Sequence, residues 1–333
     1  MKLHCFSIAI IALLSLVRAQ AADVGFFGII KSQEFVQTNS AVPASRPTNG
    51  FAFNAFVLAN SNNVVTNATV KPANSTPLCQ LLPLDTNTLA TWRFEQRFNT
   101  SAALDAAYPN GGIFPTFNYT VTMGTVNDGN KVATLNYSGL VLLGTPATPQ
   151  VTNFAAAQAI DHTADFTLRF NASGNPTFDL VQVIITDTAS NGIFASPAPF
   201  SAGALSGASN SVVIPGYTLP AGATLVGHLS FVRPAGLVTN TYPGAVGVPA
   251  VLRDTEFPLV TRPAPPAPAL EILSHPFFQL RCTGESNRTY HLQAASDLST
   301  WADVLVTNSP AFTYTDTNSL LLPHRFFRVR VGP

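Results

Sequence analysis

Charge is scarce in this chain. Only 10% of its 333 residues are Asp, Glu, Lys or Arg, and 17 basic residues balance 17 acidic ones. Globular proteins carry about 25% charged residues, so Ser, Thr and Asn must solvate much of this surface. A neutral balance lacks the basic face that nucleic-acid phosphates require, which excludes nucleic-acid binding. Cysteine is also scarce, with Cys5, Cys79 and Cys282 alone. Such widely spaced residues form neither a disulfide framework nor a zinc cluster, and Cys79 and Cys282 read as small buried hydrophobes. No apolar run beyond the N-terminus approaches the ~20 residues that span a bilayer. An apolar fraction of 46% is too high for disorder. Motifs of enzyme chemistry are missing: there is no G-x-S-x-G, H-E-x-x-H, P-loop or dinucleotide fingerprint, and no cofactor is implied.

The one long apolar run is N-terminal. Lys2, the stretch Cys5 to Val17 and the small-residue site Ala19-Gln20-Ala21 have the three-part pattern of a secretory signal over residues 1–21. Cleavage is expected between Ala21 and Ala22, giving an exported protein of extracellular or cell-surface residence. No Leu-Pro-x-Thr-Gly anchor occurs, so attachment is expected to run through protein contacts.

Alternation of apolar and polar residues dominates the remainder, the pattern of half-buried strands. Trp92, Phe94 and Phe98 share parity against Arg93, Glu95 and Arg97. Phe117 to Met123 and Val132 to Tyr137 alternate likewise, joined by Asn127-Asp128-Gly129-Asn130, where glycine permits a tight hairpin. A short helix is expected at Ser101 to Ala107. A first β-sandwich therefore spans residues 22–147, and a second strand series from Phe166 onward builds another over 148–262. Arg262-Pro263-Ala264-Pro265-Pro266-Ala267-Pro268 opens a semi-rigid linker, 263–269, of ~3.1 Å per residue. A small β module follows over 270–333. The predicted class is all-β: two sandwiches of immunoglobulin or fibronectin III-like type and a terminal module.

Two resemblances add to this reading. Ser211-Val-Val-Ile-Pro-Gly-Tyr-Thr-Leu-Pro-Ala-Gly-Ala-Thr-Leu225 resembles the strand-turn-strand segment of fibronectin type III domains, although Phe170 and Leu225 stand where that family carries Trp and Tyr. Tyr290-His-Leu-Gln-Ala-Ala-Ser-Asp-Leu-Ser-Thr-Trp301, continued by Phe312 to Thr317 and Arg325 to Arg328, resembles a C-terminal motif of exported verrucomicrobial and planctomycete proteins. The latter implies export and surface residence, and no catalytic activity.

Candidate functional residues are few. Asp161-His162-Thr163-Ala164-Asp165 has metal-binding residue types but reads as a turn. Trp92 and Trp301 read as core by strand parity, whereas Tyr108 and Tyr242, beside Pro109 and Pro243, read as exposed loop aromatics. The last strand offers a cationic strip beside an aromatic: Arg325, Phe326, Arg328 and Arg330. That strip suits an extracellular glycan or surface protein as partner, or guards a sheet edge against aggregation. The expected function is that of an exported non-enzymatic surface or matrix protein. A carbohydrate-binding protein using exposed aromatics is the first alternative, and a secreted hydrolase with paired carboxylates the second.

Overall fold

The computed structural model describes residues 22–72, 78–109, 118–264, 267–275, 277–317 and 324–332. The expected signal segment, 1–21, and Pro265 and Pro266 of the linker lie outside them. The chain divides between Arg262 and Pro263 into two compact units.

In the first unit, β1 (Val24–Val36), β2 (Ala44–Ser45), β3 (Phe51–Ala59), β4 (Val65–Pro72), β5 (Cys79–Gln80), β6 (Leu82–Pro83) and β7 (Thr91–Phe98) precede the helix α1 (Ser101–Ala107). Next come β8 (Asn118–Thr125), β9 (Asn130–Asn136) and the one-turn α2 (Leu140–Leu143). The unit is completed by β10 (Phe166–Arg169), β11 (Leu180–Thr186), β12 (Gly192–Ala195), β13 (Leu205–Ser206), β14 (Ser211–Ile214), β15 (Thr224–Pro234) and β16 (Val246–Val260). The protein is all-β in class, and its packing is sheet on sheet. Local signals explain the exceptions. Thr100 caps α1 by accepting from the Ala103 amide at 3.1 Å. Gly129, at φ 71°, turns the β8–β9 hairpin.

A ten-stranded sheet forms the frame, its main path running β12-β11-β15-β16-β1-β3-β7-β6. Its middle is an eleven-residue parallel pairing, Phe26 with Val246 through Val36 with Glu256. Because side chains alternate along each strand, Phe27 and Ile29 of β1 face the same way as Phe257 and Leu259 of β16. Two small sheets cover this one face at different places. The four-stranded sheet β5-β4-β8-β9 packs Val70, Tyr119, Val121 and Leu135 against Phe27, Ile29, Phe53 and Trp92. The pair β10-β14 contributes Leu168 and Ile214 to a second core with Val183, Leu229, Phe231 and Phe257. Residues 22–147 and 148–262 are therefore two lobes on one shared sheet and not two sandwiches closed separately. On the sheet's other face Phe26, Ile30, Phe56 and Val248 form a third apolar cluster.

The second unit carries two three-stranded sheets. One joins β17 (Ala269–His275), β18 (Phe277–Thr283) and β21 (Ala311–Thr315), and the other joins β19 (Thr289–Ala295), β20 (Ala302–Thr307) and β22 (Phe326–Gly332), with β19 central. Leu280, Cys282, Tyr290 and Leu292 are buried in it. Phe327 stacks on Phe278 at 5.4 Å between ring centroids and lies 6.2 Å from Tyr314. In a unit this small, aromatics supply apolar area that no disulfide replaces. Cys79 and Cys282 are both buried.

Candidate functional site

The motif Tyr290 to Trp301 builds one side of the terminal unit. Tyr290 and Leu292 point into its core, where the Tyr290 hydroxyl donates to the Glu285 carbonyl at 2.7 Å. Asp297 then closes a turn by accepting from the amides of Ser299 at 3.0 Å and Thr300 at 2.9 Å. Leu298 takes a left-handed φ of 63° there, and its carbonyl accepts from the Trp301 indole at 3.0 Å. The turn thus sets the Trp301 ring at the start of β20.

From that position Trp301 meets the last strand. In register, Gln293 lies opposite Arg328 and His291 opposite Arg330. The Arg328 guanidinium sits 4.2 Å from the Trp301 ring centroid while its Nε donates to Gln293 Oε1 at 2.8 Å. Gln293 Nε2 donates onward to Asp303 Oδ1 at 2.7 Å, and His291 Nδ1 stands 2.8 Å from Asp303 Oδ2. A continuous row, Trp301-Arg328-Gln293-Asp303-His291, therefore crosses all three strands. Hydrogen bonds from His291 and then Gln293 hold the Asp303 carboxyl below the usual carboxylate range. Arg330 is exposed beside this row and has no ion pair or hydrogen bond among the described residues. Phe326, 39% exposed, extends the surface at the other end of β22.

The structure thus brings together three of the four expected strip residues, Phe326, Arg328 and Arg330. Arg325 is placed apart. Its guanidinium is paired with the buried Asp316 and lies 5.4 Å from the Phe327 ring centroid, so it braces the interior. Strand parity explains this, since Arg325 alternates with Phe326 and shares a side with Phe327. Sequence reasoning missed Gln293, Asp303 and His291, whose spacing at 291, 293 and 303 shows its purpose only when β19 and β20 pair.

Several aromatic expectations are corrected. Trp301 is half-buried and covered by Arg328 instead of joining the core. Tyr108 and Tyr242, expected in exposed loops, are each 2% exposed. Tyr108 stacks on Phe53 at 3.8 Å and donates to Gln96 Oε1 at 2.6 Å; Tyr242 donates to Asp128 Oδ2 at 2.6 Å. Their hydroxyls are satisfied, so burial is favourable. Trp92 lies in the first core. Asp161 accepts from the Thr163 amide at 3.0 Å, the geometry of a turn, whereas Asp165 reaches across to the segment after β14 and accepts from the Gly216 amide at 2.9 Å. Among the described residues no group of three or more His, Cys, Asp or Glu is gathered for a metal ion, and no helix is long and apolar enough to cross a membrane.

No family model matches the chain, and no curated protein does. Solved structures similar to it include the FN1–FN3 domains of chicken CNTN1, at 9% identity over 92% of this chain and 93% of that one, with a TM-score of 0.21. Another is the BSP domain of a biofilm associated protein, at 7% identity over 90% and 63% respectively, also with a TM-score of 0.21. The assignment to the all-β class rests on the strands themselves.

Proposed function

We propose that this is an exported, non-enzymatic surface or matrix protein whose terminal unit holds it to an anionic component of the cell envelope. The observation that supports the reading is the row on β19, β20 and β22. There Arg328 is pre-oriented by Trp301 and Gln293, while the Arg330 guanidinium is exposed and forms no ion pair among the described residues. A guanidinium fixed in this way loses less conformational freedom on binding than a free one. The two-lobed body is the part displayed. A chain ending at Thr261 is expected to be released into the medium while the full chain stays with the cells. Equal retention of both would place attachment in the body and overturn the proposal.

A further inference from the structure

The two small sheets leave part of the shared sheet uncovered between them. On that stretch the inward-facing residues change from apolar to polar: Lys31 and Gln33 on β1 lie opposite Val251 and Arg253 on β16. Together with α1 and the segment at Thr145 they bound a cleft of about 240 Å³, whose walls include Phe51, Ser101, Leu104 and Asp105. Asp105, with 47% of its side chain exposed, marks the mouth.

The charges here do not balance. Lys31 Nζ donates to Asp105 Oδ1 at 2.5 Å. Behind it, Arg233 is held by Asp179 through Nε at 2.6 Å and Nη2 at 2.7 Å. Arg253 is the third cation, and two carboxylates serve the three. Its guanidinium lies 5.7 Å from the Phe35 ring centroid and has no ion pair or hydrogen bond among the described residues. Burial and the neighbouring charge of Arg233 lower its pKa, so holding the cation there has an electrostatic cost that a bound anion would relieve.

We propose that this cleft binds a small hydroxylated carboxylate the size of one sugar ring, the chemistry of a uronic acid, with Arg253 gripping the carboxylate. The planar guanidinium fork matches two carboxylate oxygens at once. The Ser101 and Thr145 hydroxyls and the Gln33 amide suit ring hydroxyls, while Phe51 and Leu104 offer an apolar wall. Clefts between packed lobes with few convergent polar groups are where small ligands bind. The site lies in the body and is independent of the terminal-unit surface.

The test is calorimetric titration of the full chain with D-galacturonate and D-glucuronate, and with galactose, glucose and sulfate for comparison. At least one uronate should bind, with its neutral counterpart weaker by about tenfold or more. Arg253→Gln should weaken the uronate by about tenfold or more at an unchanged melting temperature, and Arg253→Lys should fall between. Should Arg253→Gln destabilise the body, Thr145→Val serves instead, and it should weaken binding with every charge retained. No uronate binding, equal binding of neutral sugars, or affinity indifferent to these substitutions would overturn the proposal. Sulfate binding as tightly as the uronate would make this a general anion site and overturn the sugar-acid assignment.

Discussion

The ring of Phe27 lies over Gly247, its register partner across the parallel β1–β16 pair. A β-carbon at Gly247 would stand 2.6 Å from Phe27 Cζ and 3.0 Å from Leu135 Cδ2, so only glycine lets this ring settle between the shared sheet and the first small sheet. The contact joins strands more than 200 residues apart in sequence and ties the first lobe's core to the strand that also floors the second.

Gly247→Val should therefore overpack the first core and lower stability by about 1–3 kcal/mol. Because β16 serves both lobes, Trp92 fluorescence and hydrogen exchange on β11 and β15 should report the same shifted denaturant midpoint. A shift confined to Trp92 would mean the lobes unfold independently.

Arg233 and Asp179 form a pair with side chains 4% and 0% exposed. Asp179→Ala leaves a buried guanidinium unpaired and should cost about 3–5 kcal/mol, whereas replacing both residues with apolar side chains of similar volume should cost much less. Equal losses for the single and double variants, measured by denaturant unfolding, would contradict this.

Much of the architecture was legible locally, and the misses share a cause. Alternation identified the strands, the short helix was expected at Ser101 to Ala107 where α1 forms, and Gly129 marked a hairpin, because each signal lies within a few residues. Pairing of β1 with β16 left only an indirect trace. The runs Val24 to Ile30 and Val246 to Val251 are almost continuously apolar, as strands covered on both faces are, yet nothing in them names the partner. Tyr108 and Tyr242 were misplaced because proline neighbours signal a turn and do not reveal that Gln96 and Asp128 wait to accept a hydroxyl proton. In the candidate surface, Arg328 and Arg330 were legible by parity; the residues that orient Arg328 come from β19 and from the turn before β20.

Asp303 sets the acid response of that surface. Its folded pKa is depressed by His291 and then Gln293, so its contribution is fully present above the unfolded value of ~3.9 and lost only as pH falls through the lower folded one. Nuclear magnetic resonance titration should find its midpoint below that of an unperturbed aspartate. A midpoint at or above it would mean the row does not form in solution.

Arg328→Ala removes both the ring contact and the Gln293 hydrogen bond. At an exposed site the cation–π share is about 0.5–1 kcal/mol, so the terminal unit should stay folded. The Trp301 indole resonance, one of two in the chain, should shift while that of Trp92 stays in place. Movement of both would show that the substitution disturbs more than this face.

Attachment through the terminal unit is tested most directly by binding of the purified full chain to envelope preparations from the producing cells. We expect saturable binding that Arg328→Ala combined with Arg330→Ala weakens by about tenfold or more, that added salt weakens too, and that Arg253→Gln leaves unchanged. Undiminished binding by the double variant would contradict the assignment of attachment to this face.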